Sequence, residues 1–137
     1  MDARKLCYGD LVKNHKWILA FRGISSRDGQ LEALYLDREH PASGILALVD
    51  DESIQPILIT QEFLDKNFTK RFKGVQDREC WQNDILQVSV DVAGYYRVQN
   101  LDYTANFEID GDIKWVHELQ AVMRLLGFMD MANSLNV

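Results

Sequence analysis

Hydrophobic positions recur along this chain with two different periods, and the change from one to the other divides its elements. From Trp17 to Ile24 the period is two: Trp17, Leu19 and Phe21 alternate with Ile18, Ala20 and Arg22, as a strand with one buried face requires. Asp28-Gly29 follows, a preferred pair for a tight hairpin turn, and Gln30 to Leu36 returns. Ile45 to Val49 is a short apolar run bounded by Gly44 and Asp50-Asp51, the pattern of a central strand. These segments predict a three-stranded meander. Residues 2 to 8 read as a short turn or strand, and the Gly9-Asp10 turn leads Leu11-Val12 into the same sheet. Thr60 is a candidate N-cap for a two-turn helix carrying Phe63, Leu64 and Phe68. From residue 69 to 83 the pattern is weakest and reads as strand, loop, strand. Alternation returns at Leu86, Val88, Val90 and Val92, turns at Ala93-Gly94 and returns over Tyr95 to Gln99. It resumes at Tyr103, Ala105, Phe107 and Ile109, before an expected turn at Asp110-Gly111-Asp112.

The period then lengthens. Between Ile113 and Leu126, Trp115, Val116, Leu119, Val122, Met123 and Leu126 fall at helical spacing, with Asp112 as expected N-cap and Gly127 as stop. Lys114, His117, Glu118, Gln120, Ala121 and Arg124 fall on the opposite side of an ideal wheel. Strands, short helix, strands and long helix in that order predict an α+β fold. The expected sheet is curved and mostly antiparallel, SH3-like or a partly open barrel, closed by the long C-terminal amphipathic helix. The pattern predicts one domain over 1–130 and a flexible tail over 131–137.

At 137 residues and 47% hydrophobic, the chain has enough apolar material for a core without metal or disulfide. A net charge of −6 repels a phosphate backbone, so nucleic acid is disfavoured. Lys66, Lys70, Arg71 and Lys73 form the best candidate for a local basic patch, and such a cluster is usually a solvated surface. Cys7 and Cys80 lack metal or redox spacing and read as free buried thiols. The charged N-terminus leaves no room for a signal peptide, and no window approaches 18 apolar residues. The expectation is a cytoplasmic protein without membrane contact.

No phosphate-binding glycine loop, nucleophile elbow or metal-spaced Cys/His cluster is present in the sequence, so no metal, cofactor or catalytic residue is expected. Asp50, Asp51, Glu52, Asp110 and Asp112 fall at expected turns, where carboxylates serve backbone hydrogen bonding. Of His15, His40 and His117, the last draws attention, because Lys114, Gln120 and Arg124 share its side of the wheel and Ala121 leaves room for approach. Lys114, His117, Gln120 and Arg124 are therefore the candidate ligand- or partner-binding residues. The competing explanation of the same four is a solvated helix face.

Three stretches carry a family resemblance. Leu6, Gly9 and Val12 resemble a Leu-Arg-x-Gly-Asn-x-Val start, with Asp10 at the Asn position. Ile54, Pro56, Ile57, Thr60, Glu62 and Leu64 resemble an Ile-x-Pro-Ile-x-Leu-Thr-Glu-Glu-Trp-Leu segment. Ile113-Lys114-Trp115-Val116-His117-Glu118-Leu119-Gln120 resembles Ile-Lys-Tyr-Val-His-Gln-Leu-Gln. The family is one of short, uncharacterised proteins of gut bacteria and their phages and prophages. Gly127-Phe128-Met129 departs from its usual ending. The resemblance implies a small accessory protein of phage or mobile-element type and no established activity. The expected role is a non-enzymatic protein-binding module acting on a host or phage protein. The alternative is sequestration of an anionic small molecule such as a nucleotide, held by His117 and Arg124 with Lys70 or Arg71. Phe128, Met129 and Met131 form an apolar tail that a symmetric homodimer would cover.

Overall fold

The computed structural model describes residues 1–101 and 108–137. Its architecture is α+β, with two open antiparallel five-stranded sheets. Backbone contacts gather the chain into two compact units, Met1–Ile57 and Leu58–Val137, where the pattern predicts one domain over 1–130. Each unit contains one sheet.

In the first unit, β1 (Leu11–Asn14), β2 (Trp17–Arg27), β3 (Gln30–Asp37), β4 (Gly44–Leu48) and β5 (Ile54–Pro56) lie in the order β4-β3-β2-β1-β5. The Asp28-Gly29 turn forms as expected, both residues taking positive φ (49° and 80°) and joining Arg27 to Gln30 in register. A register shift between Phe21 and Gly23 marks a bulge in β2. Val12, Leu19, Phe21, Ala33, Tyr35 and Ile54 form the core of this unit with Ala3, Leu6 and Val49. Phe21 and Tyr35 meet edge to face at 5.8 Å. The run Ile45 to Val49, expected at the centre of the sheet, is instead β4 at its edge. An uncharged run fits a strand flanked on both sides, and nothing local in the sequence distinguishes that place from an open edge.

In the second unit, α1 (Gln61–Asn67) precedes β6 (Lys70–Lys73), β7 (Glu79–Gln82), β8 (Leu86–Val90), β9 (Tyr96–Asn100) and β10 (Glu108–Ile113), ordered β10-β9-β8-β7-β6. Thr60 caps α1, its Oγ1 accepting from Phe63 N at 3.1 Å. Residues 69 to 83 do form strand, turn, strand, with a 3₁₀ turn at Val75–Asp77. The expected strand at 103–109 falls largely outside the described residues. Asp110-Gly111-Asp112 lies within β10, not in a turn, and the ladder to β9 is irregular between Ile109 and Ile113.

The long helix, α2, runs from Val116 to Leu125. Its N-cap is Trp115, and Asp112 belongs to the strand before it. Glu118 starts the helix by accepting from Lys114 N and Trp115 N at 3.1 and 2.9 Å, one half of a capping box. Gly127 closes the end with φ 91°. The residues beyond it, of which the pattern predicts 131–137 as a flexible tail, carry a further short helix and buried side chains. Met129–Asn133 form α3, Ala132 and Leu135 are buried, and Asn136 is held through its main chain by Asn67, with both hydrogen bonds at 2.7 Å. Small Ala132 permits close approach, and Leu135 removes apolar surface from water.

Candidate functional site

The four residues expected as a recognition strip are not presented together to solvent. The buried side of α2 is Val116, Leu119, Gln120 and Met123. Gln120 is wholly buried, its Nε2 donating to Ala132 O at 2.9 Å. Arg124, half-buried, places Nη2 3.3 Å from Asn133 Oδ1. His117 is half-buried on the same stripe, at the three- and seven-residue spacing that lines it up with Gln120 and Arg124. The polar stripe therefore receives the chain's own C-terminal helix. Lys114 is exposed and lies 5.0 Å over the Trp115 ring. Of the cations expected to hold an anion, Arg71 is bound to Glu79 at 3.1 Å and Asp65 at 3.4 Å and stacks on Trp81. Trp81 Nε1 in turn donates to Asp65 Oδ1 at 2.9 Å, so this network ties α1 to β6 and β7.

A different region gathers unassigned chemistry. A cleft of about 350 Å³ opens in the first unit, lined by Asn14, Trp17, Leu19, Asp37, His40, Ser43, Gly44 and Ile45. Strand register brings these residues together: Asn14 stands opposite Trp17, and Leu19 opposite Asp37. Asp37 is buried, and its Oδ1 accepts from Glu39 N at 2.9 Å and His40 N at 3.3 Å, which folds the β3–β4 loop over the cleft. Trp17, half exposed, supplies an aromatic wall. Asn14 Oδ1 is enclosed and accepts no hydrogen bond from any described residue, an unmet demand for a donor. One carboxylate, one amide oxygen and an indole face, with no Lys or Arg in the lining, suit a group with an apolar body and a hydrogen-bond-donating end. A second hollow, of about 370 Å³, lies against Ile85 and the Gly127–Met131 segment. Lys70, Arg71, His117 and Arg124 line neither.

Beside the cleft runs the open edge of β4. Ile45 and Ala47 turn inward toward the core, while Leu46 and Leu48 on the other face are 55% and 46% exposed, next to Leu34 at 39%. Leu34 stands directly opposite Leu46 in the ladder, so these leucines form one continuous patch. His40 and the β4 edge both lay outside the expected strip. No local signal in the sequence marks either, because the edge position follows from β5 pairing with β1.

Cys7 is exposed, contrary to the expectation of a buried thiol, and Cys80 is buried; both are free. Asp51 works as a turn residue, as expected, accepting from Ser53 N and Oγ at 2.8 and 2.7 Å. These bonds hold its carboxyl below the ordinary range. No helix among the described residues is long and apolar enough to cross a membrane, and no cluster of His, Cys, Asp or Glu among them could hold a metal ion. The fold and its cleft define the class only as an α+β protein with an open apolar sheet edge. Comparison with known proteins finds no family model, no curated protein and no solved structure that matches the chain.

Proposed function

We propose that this is a non-enzymatic protein-binding module that takes an extended segment of a host or phage protein along β4. The observation that carries this reading is an uncharged strand edge, unpaired among the described residues, adjoining a cleft in which Asn14 Oδ1 lacks a donor among them. An added strand gains main-chain hydrogen bonds along the edge, which give affinity without regard to sequence, and its alternate side chains reach the two faces of the sheet. On one face they meet Leu34, Leu46 and Leu48; on the other, one side chain enters the cleft beside Ile45. Asp37 and Asn14 favour Lys, Arg, Tyr or Trp at that position, because each carries a donor at the end of an apolar stem. The same acceptor-rich lining disfavours the anionic small molecule considered as the alternative.

The test is capture from host lysate by tagged wild type, Leu46→Lys and Trp17→Ala. The lysine variant puts a charge on the edge and should abolish capture, and the alanine variant should weaken it and broaden the set captured. Equal capture by all three refutes the reading.

A further inference from the structure

Four strands end the two sheets among the described residues, and three of them carry features that discourage pairing with another chain. β5 is three residues long and ends in Pro56, β6 carries Lys70, Arg71 and Lys73, and β10 carries Glu108, Asp110 and Asp112. β4, Gly-Ile-Leu-Ala-Leu, has neither charge nor proline. We propose that β4 pairs antiparallel with β4 of a second copy of this chain, joining two five-stranded sheets across a two-fold axis at Leu46. This rests on the reading of the β4 edge as the interaction surface, and names the occupant it holds when no other partner is present.

The ladder shows which backbone groups are available. Asp37 N donates to Ser43 O at 2.9 Å and Val49 N to Leu31 O at 3.2 Å, bracketing the β3–β4 pairing. Hydrogen-bonded pairs alternate in an antiparallel ladder, so Ile45 and Ala47 direct their N–H and C=O groups to β3. Gly44, Leu46 and Leu48 direct theirs outward, where only Leu48 O has a described partner, Asp51 N at 3.0 Å. With the axis at Leu46, the two Leu46 residues exchange N–H···O=C bonds in both directions, and Leu48 of each copy faces Gly44 of the other. Opposed residues share a face, so the Leu34, Leu46 and Leu48 patches of the two copies become one.

Charge selects the antiparallel arrangement. Each copy carries a net −6, and Asp50, Asp51 and Glu52 follow β4 directly. A parallel pair would set these carboxylates against their own copies. The antiparallel pair instead carries the segments that follow β4 in the two copies to opposite ends of the joint, which removes the like-charge conflict. A second copy therefore meets the demands of this edge with no partner of special charge.

The test is sedimentation of the full-length chain over a concentration series, wild type against Leu46→Pro and Leu46→Lys. Proline at 46 removes an N–H that β3 does not use, so each monomer keeps its own ladder, to be checked by circular dichroism and Tm. A wild-type dimer is expected, with dimer Kd raised at least a hundredfold in both variants. A second measurement does not depend on those variants folding. Two-fold pairing sets the 46 Cα atoms about 5.5 Å apart, within disulfide range, so Leu46→Cys in a Cys7→Ser background should cross-link on mild oxidation. Ile24→Cys in the same background, on β2 and away from the edge, should not. A monomer at every concentration, a dimer indifferent to residue 46, or equal cross-linking through residue 24 overturns the proposal. A monomer whose capture of a lysate protein still requires Leu46 overturns self-pairing and leaves the binding function standing. A dimer through residue 46 with capture indifferent to Leu46 supports self-pairing and overturns that function.

Discussion

Gln120→Ala separates a solvated helix face from one that the chain itself covers. Gln120 has no exposed surface, and its Nε2 donates to Ala132 O at 2.9 Å. Truncation removes that hydrogen bond, worth about 1 kcal/mol net, and leaves the Ala132 carbonyl enclosed without this donor, a penalty of about 1–3 kcal/mol. It also deletes a buried methylene, roughly 0.8 kcal/mol before any cavity term. Because the first two contributions overlap, the expected loss is about 2–4 kcal/mol. Gln120→Met keeps the volume and should lose only the polar part, about 1–3 kcal/mol. Arg124→Ala, which loses the longer, exposed contact with Asn133 at 3.3 Å and part of a half-buried stem, should cost less, about 1 kcal/mol. Urea denaturation at neutral pH measures all three. Hydrogen exchange adds a local readout, because Gln120→Ala should deprotect the amides of Met129–Asn133 more than those of β8. A loss below about 0.5 kcal/mol for Gln120→Ala, with α3 protection unchanged, would refute the placement of α3 on this stripe.

Alkaline stability should depend on Tyr35, whose pKa burial, aided by the negative charge of Asp51, pushes up to about 12. As pH rises past about 10 the unfolded tyrosine releases its proton while the folded one keeps it, so stability falls between there and pH 12 by up to about 1.4 kcal/mol per pH unit. Tyr35→Phe should flatten that decline, and an unchanged slope would argue against the buried placement. Asn67→Ala removes both bonds to the Asn136 main chain, so the last residues should fray, with early carboxypeptidase release and a loss of about 1 kcal/mol. Thr60→Ala should cost about 1 kcal/mol through the lost cap on Phe63 N, and a neutral result would mean that α1 starts elsewhere.

Local rules were enough for much of this protein. The alternation of Trp17, Leu19 and Phe21, the Asp28-Gly29 turn, the Thr60 cap and the helical stripe through Val116, Leu119 and Met123 each depend on neighbours within a few residues. Sequence therefore determined the α+β class, the antiparallel pairing and the register of the first hairpin. Three outcomes were decided only by tertiary structure. Whether Gly44–Leu48 sits inside a sheet or at its edge depends on which strand follows it in space, and β5 joined β1 instead. Whether Gln120 faces water depends on α3 folding back, since a wheel records angle around the axis and nothing about what arrives from outside. The cleft draws Asn14, Trp17, Asp37 and His40 from two strand pairings and a loop, and such convergence has no period along the chain from which it could be read.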